Sequence, residues 1–245
     1  MKDETQQAIR EHAVADYPRE SCGLVQVVKG RERYRRCANL AATPGEHFVL
    51  SPEDYASAED EGEIIAVVHS HPDVPARPSE ADRVACETSG LPWHIVHVSV
   101  PDGGTVPEAG DIVTIEPQGY EAPLIGRPFA HGVLDCYSLV RDWYRRELGI
   151  DLPDYPRRDD WWLHGEDLYM QNFAAAGCAP IVGAPQRGDI ILMQIRAPVV
   201  NHAAVYLGDG NIIHHLHGRL SSRDVYGGQW AEVTRYIVRH REARA

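Results

Sequence analysis

Long apolar runs are missing from this chain. No stretch of its 245 residues approaches the ~18 apolar positions that a membrane-crossing helix needs, so no membrane span is expected. A basic surplus is also missing. Lys and Arg total 24 against 36 Asp and Glu, a net charge of −12. A general nucleic-acid binder needs basic surface to neutralise phosphates, so nucleic acid is not an expected partner. Lysine itself is scarce. Lys2 and Lys29 are the only two, which reads as a base-composition habit of the source genome. The five cysteines are widely spaced with no CxxC pair, which argues against a disulfide framework and for reduced thiols made in a cytoplasm. The first twenty residues hold no apolar core and no small-residue cleavage site, so no secretory signal is expected. A protein acting beyond a membrane would then have to be carried there.

What is present falls into two halves. Residues 1–117 hold 10 Lys and Arg against 21 Asp and Glu, and residues 118–245 hold 14 against 15. Such a shift suggests two domains with different histories. Between them, "PQGYEAPLIGRPFAHG" (117–132) is rich in Pro and Gly and has little periodicity, which puts the boundary near residues 117–124. The expected domains are 1–117 and 118–245. In the first, helices are expected over 4–15, 51–62 and 79–90, with strands at 23–28, 31–37, 63–71, 94–100 and 111–116. Ser51 before Pro52 is a helix-start signal, and Ser79 with Asp82 three residues on resembles a capping box. In the second, the spacing predicts a helix over 134–149 and a helical stretch over 159–176. Strands are expected at 187–195, 202–208, 211–216 and 233–240. Both halves read as α+β.

The stretch "VVHSHPDVPARPSEAD" (67–82) raises the first chemical question. Alternation along a strand sends His69 and His71 to one face, about 7 Å apart at Cα. Asp82, in the first turn of the next helix, can return an oxygen to them. Two nitrogens and an oxygen leave a fourth tetrahedral position open, the catalytic zinc pattern. Glu20 is a candidate base, and Ser79 a candidate donor to a developing oxyanion. The plain reading is also available: surface histidines, with Asp82 supporting a helix N-terminus.

Glu20, then His69-Ser70-His71-Pro72, then Ser79-Glu80-Ala81-Asp82 resembles the motif of the JAMM metalloprotease family. The "ESCGL" around Glu20 is similar to its bacterial and phage members. The resemblance covers residues 8–116 and implies a mixed-sheet domain with Zn²⁺ on His69, His71 and Asp82. It further implies Glu20 as general acid/base, Ser79 as oxyanion partner, and cleavage of peptide or isopeptide bonds, often next to ubiquitin-like modules.

The second question is Cys136, at the start of the 134–149 helix. Backbone N–H groups and the helix dipole there are expected to favour thiolate. His202 and His214 stand on two expected strands joined by Gly208-Asp209-Gly210, so a hairpin would bring the imidazoles together. Nucleophile, base and orienting group would then be present. The plain reading is a small buried cysteine and strand-surface histidines.

"LDCYSLV", "PQRGDIILM" and "HAAVYLGDGNIIHH" resemble the NlpC/P60 cysteine peptidases, which are papain-like and cleave peptidoglycan stem peptides. The resemblance covers residues 124–240. It implies Cys136 as nucleophile, His202 as base and His214 as the third residue, with His215 turned to the other face. Asp135 matches the Asp that precedes the family's Cys. Many members carry a Tyr upstream of the Cys that helps form the oxyanion hole. Here residues 127–135 hold Phe129 and His131 but no Tyr, so the donor beyond the Cys136 N–H is not identified. Trp161 and Trp162 are candidates for a substrate groove or for packing, and Cys86, one turn past Asp82, for the metal or for packing.

A JAMM half followed by an NlpC/P60 half, ending in "HHLHGRLSSRDVYGGQW", is similar to the tail-tip proteins of lambda-like phages. That resemblance implies synthesis in a host cytoplasm, other tail-tip proteins as partners, a ubiquitin-like one among the candidates, and a virion tail that delivers the enzyme to the cell wall and periplasm. The rival reading is a structural assembly component with one or both sites vestigial.

Overall fold

Residues 1–243 are described by the structure, a computed structural model. They divide into two units, Met1–Glu121 and Ala122–Ala245. Each is α+β.

The first unit runs α1 (Asp3–Asp16), β1 (Cys22–Val28), β2 (Arg31–Cys37), α2 (Pro52–Glu61), β3 (Glu63–Pro72), α3 (Glu80–Ser89), β4 (Trp93–Ser99) and β5 (Glu108–Ile115). The sheet order is β2-β1-β3-β4-β5. Only β3 and β4 are parallel, as a strand–helix–strand crossover through α3 requires. Alternation divides the strand residues between two cores. Val25, Val68, Val96 and Val98 pack with Ile9 and Ala13 of α1. Leu24, Val67 and Trp93 pack on the other face with Ala58 of α2 and Cys86 of α3. His69 and His71 continue the Val67 face, so they lie under α3. Cys86 is packing: its thiol donates to the Leu91 carbonyl at 3.3 Å. Past β5, the Glu87 carboxylate accepts the backbone N–H groups of Gln118, Gly119 and Tyr120 at 2.6–3.0 Å.

The second unit runs α4 (Cys136–Leu148), a 3₁₀ turn (Trp161–Leu163), α5 (Leu168–Asn172), β6 (Cys178–Pro180), β7 (Ile190–Met193), β8 (His202–Gly208), β9 (Asn211–His214), β10 (Ser222–Val225), α6 (Gln229–Val233) and β11 (Thr234–His240). Its sheet order is β10-β9-β8-β7-β11-β6, antiparallel throughout. Leu139, Val140, Trp143 and Tyr144 give α4 one apolar face, which packs on Ala203, Val205 and Ile213. Gly149, at φ +66°, ends that helix. Asp209 and Gly210 both have positive φ and form the two-residue turn between β8 and β9.

The helical stretch expected over 159–176 is not there as such. Asp160 (φ +50°) and Gly165 (φ +81°) interrupt it, leaving one 3₁₀ turn and the five residues of α5. Trp161, Trp162 and Tyr169 of this segment line a cavity, described below. The strands expected at 187–195 and 211–216 are shorter, and β6, β10 and α6 have no counterpart in the sequence expectation.

Two candidate active sites

The first site forms where β3 meets the start of α3. His69 Nε2 lies 3.1 Å from His71 Nε2 and 3.1 Å from Asp82 Oδ1, and His71 Nε2 lies 3.5 Å from Asp82 Oδ2. All three side chains are buried. Phe48 stacks on the His69 ring at 4.8 Å, and Trp93 meets it edge-on at 5.5 Å. His71 Nδ1 sits 3.1 Å from the Pro75 carbonyl, so that nitrogen carries a proton and Nε2 is left with a lone pair. Asp82 has two duties. Its Oδ2 accepts the Ser79 N–H at 2.7 Å, while its own N–H donates to Ser79 Oγ at 3.0 Å. The capping box is therefore present, and it holds the carboxylate toward the histidines. Burial disfavours the charge on Asp82, but its contacts with the His69 and His71 rings outweigh it and hold the carboxyl well below the usual range. Burial pushes Glu20 up to about 8, His71 acting against that rise and Asp82 with it. The Ser79 hydroxyl accepts one bond and still has its own O–H to give.

These residues fit a zinc ion. In a tetrahedral site with bonds of about 2.0–2.1 Å, neighbouring donor atoms stand roughly 3.3 Å apart. The three separations here are 3.1, 3.1 and 3.5 Å. Two imidazoles turned Nε2 to Nε2 within hydrogen-bond range face each other with lone pairs unless a proton or a cation lies between them.

The second site lines a cavity of about 310 Å³ in the other unit. Cys136 is the first residue of α4, and Asp135 is its N-cap. The Asp135 carboxylate accepts the Ser138 N–H and O–H at 2.9 and 3.0 Å and the Gly132 N–H at 2.9 Å. Arg157 clamps it from outside, with Nε at 2.6 Å and Nη2 at 3.1 Å. Cys136 and His202 both line the cavity, as do Trp161 and Trp162. The Ala203 backbone hydrogen bond acts on the thiol directly. His202 Nε2 lies 3.0 Å from His214 Nδ1, which leaves His202 Nδ1 as the ring nitrogen outside that contact. His214 Nε2 in turn lies 3.0 Å from Asp224 Oδ2. His215 is in the cavity wall, edge-on to Phe129 at 5.1 Å, and is not part of that string.

Two findings depart from expectation. The thiol is pushed up, not down. Burial is the main cause, and the Asp135 carboxylate adds to it; bonds from Tyr169 and Ala203 and the Arg157 charge offset only part. The helix N-terminus is real, but its partial charge acts next to a full negative one. The other finding is the Tyr169 hydroxyl, 3.2 Å from Cys136 Sγ. A tyrosine does reach the thiol, from 33 residues downstream instead of upstream.

Comparison with known proteins follows the same division. The family description "Prokaryotic homologs of the JAB domain" matches residues 2–111, and "NlpC/P60 family" matches residues 126–239. Tail tip assembly protein K of Escherichia phage N15 is 46% identical across 100% of this chain and 97% of its own length. The lambda phage protein of that name is 42% identical over 80% of this chain and 92% of its own. The chain belongs to the tail tip assembly protein K family. A solved NlpC/p60 domain of the peptidoglycan hydrolase SagA shares 20% identity over 47% of this chain and 89% of its own, with a TM-score of 0.33.

In this K-family chain, sequence reasoning missed Arg157, Tyr169 and Asp224. Arg157 and Tyr169 come from the irregular segment between α4 and β6, where no period marks a side chain as inward. Asp224 had a signal. It belongs to the "SSRDVYGGQW" run, and its position two residues after Ser222, the partner of His214, puts it diagonally across β9 and β10.

Proposed function

We propose that this tail tip chain is a peptidoglycan endopeptidase in its second unit and a zinc-dependent peptide or isopeptide hydrolase in its first. The tail would carry it to the host wall and periplasm. The observation that carries the proposal is the string His202–His214–Asp224 opening on the cavity that also holds Cys136.

In the second unit, burial lowers His202 to about 3, so its resting imidazole is neutral and has one bare nitrogen. The thiol proton moves to His202 Nδ1 as Sγ bonds to the carbonyl carbon of a stem-peptide amide. The carbonyl electrons move onto oxygen. The Cys136 N–H, one of the first-turn donors of a helix start, and the Tyr169 O–H would receive that charge. His202 then returns the proton to the leaving amine as the C–N bond breaks, and water releases the acyl group by the same route reversed.

In the first unit, His69, His71 and Asp82 would hold Zn²⁺, which supplies Lewis acidity toward water and a peptide carbonyl. Glu20 would hold and pass the proton, and the Ser79 O–H would meet the oxyanion. Its substrate is proposed to be another tail protein, one with a ubiquitin-like domain.

Two experiments test this. Purified sacculi incubated with the wild-type chain should release muropeptides that Cys136→Ala does not release; identical products would sink the endopeptidase reading. Metal analysis of the purified chain should find zinc near equimolar, lost in His69→Ala. A metal-free wild type whose tail processing matches His69→Ala would sink the other.

A further inference from the structure

We infer that Asp224 is a positioning residue that decides which nitrogen of His202 is bare, and so makes His202 a base toward Cys136. The consequence for catalysis rests on the endopeptidase reading; the geometry does not.

A neutral imidazole has one N–H and one lone pair, on opposite sides of the ring. His202 Nε2 and His214 Nδ1 are 3.0 Å apart, so one donates and the other accepts. Two arrangements satisfy that pair equally. If His202 donates from Nε2, its Nδ1 is bare and can take the thiol proton. If His214 donates from Nδ1, His202 must accept at Nε2, and its proton sits on Nδ1. That second form is useless as a base. The pair alone does not choose between them.

Asp224 chooses. An ionised carboxylate only accepts, so its Oδ2, 3.0 Å from His214 Nε2, requires the His214 proton there. His214 Nδ1 is then bare and accepts from His202 Nε2. His202 Nδ1 follows as the bare nitrogen. The order passes along three neighbouring strands by two diagonal steps, β10 to β9 and β9 to β8. The rings are not free to turn out of line. His214 is 1% exposed, and Trp230 of α6 meets its face edge-on at 4.6 Å. Arg219 is the further charge that acts on His214, and it is a cation, so it does not compete as an acceptor.

The test reads tautomers directly on the full chain labelled with nitrogen-15 at histidine. Protonated and bare ring nitrogens have well-separated shifts. In the wild type, both His202 and His214 should carry the proton on Nε2. Asp224→Asn, whose amide can give or accept, should show His202 with a proton on Nδ1, alone or in exchange. Asp224→Ala should do the same without the amide. The second readout is iodoacetamide alkylation of Cys136 at neutral pH, followed by peptide mass spectrometry. It should slow about tenfold or more in either variant, a smaller effect than the ~10⁴ seen where a carboxylate contacting the base itself is lost. Wild-type His202 with its proton on Nδ1 would overturn the inference even if neither variant folds. So would Asp224→Asn with an unchanged His202 tautomer and alkylation within twofold of wild type. Neither readout uses a peptide substrate. Correct tautomers with sacculi left intact would therefore count against the substrate reading and leave the role of Asp224 standing.

Discussion

Replacing Arg157 with alanine should loosen the second unit, because it breaks a buried ion pair from one side. The guanidinium is 7% exposed and the Asp135 carboxylate 3%. Two of its bonds go to Asp135, and others go to Ser138 Oγ at 2.8 Å, the Gly132 carbonyl at 3.1 Å, Asp154 at 2.9 Å and the Tyr155 carbonyl at 2.8 Å. It also lies 5.3 Å from the Tyr137 ring centroid. Alanine removes all of these and leaves a buried carboxylate with three donors and no cation. Breaking a buried pair from one side costs about 3–5 kcal/mol. For a unit of this size that is roughly 10–20 °C in Tm. Four of the five tryptophans (143, 161, 162 and 230) belong to the second unit, so tryptophan fluorescence during a melt reports mainly on it. Arg157→Lys keeps the charge but not the fork, and should fall between. The double change Arg157→Ala, Asp135→Asn should recover part of the loss, because no unpaired charge remains. Acid sharpens the test. Burial opposes the Asp135 charge but Arg157 wins, holding the carboxyl well below its ordinary value. Its contribution is therefore present above the unfolded value near ~3.9 and is lost only as pH falls through the much lower folded one. Without Arg157 burial prevails, and the variant should begin to lose stability at a higher pH than the parent. An Arg157→Ala chain melting within about 3 °C of wild type would refute the account.

Three further outcomes are expected. Because burial raises the Cys136 thiol above its ordinary value, the alkylation rate should still be climbing at pH 9 and show no plateau near neutrality. Tyr169→Phe should lower the rate of muropeptide release about 10²–10³-fold while leaving zinc content unchanged, since one oxyanion donor is removed. Gly23→Ala should destabilise the first unit by about 1–3 kcal/mol in a denaturant titration. A Cβ at Gly23 would stand 2.4 Å from the Arg35 carbonyl and 2.5 Å from the Tyr34 hydroxyl, so β1 and β2 must part.

How much of this was legible in the sequence depends on what fixes each side chain. His69 and His71 were readable because a strand alternates: once Val67 faces the α2–α3 side, they must follow. Asp82 was readable because a helix start has a defined first turn. His202 and His214 were readable because Asp209-Gly210 dictates a tight hairpin, which sets the register. Arg157 and Tyr169 obey no period. They are fixed by long-range contacts from a segment broken at Asp160 and Gly165, and the sequence offers only the wrong inference of a continuous helix. Asp224 lies in the "SSRDVYGGQW" run, but its strand is a four-residue edge too short for alternation to say which way it faces. The thiolate expectation failed for a different reason. It weighed the helix terminus alone, while the outcome depends on burial and on the carboxylate one residue away, quantities visible only when the chain is folded.

Those corrections change how the thiol site must work. With Cys136 raised and His202 lowered to about 3, the resting pair is thiol and imidazole, not thiolate and imidazolium. If the site is the proposed endopeptidase, nucleophilic charge would therefore have to be created during attack. A site of that kind depends on three things being ready beforehand: a bare nitrogen toward the sulfur, a sink for the proton's charge, and donors for the oxyanion. On the endopeptidase reading, the His202–His214–Asp224 string would supply the first two, since the carboxylate would both order the tautomers and face the positive charge as it forms. Tyr169 and the start of α4 would supply the third. Burial, which lifts the thiol out of its reactive range, is the same property that makes those fixed dipoles strong, because water is not there to screen them.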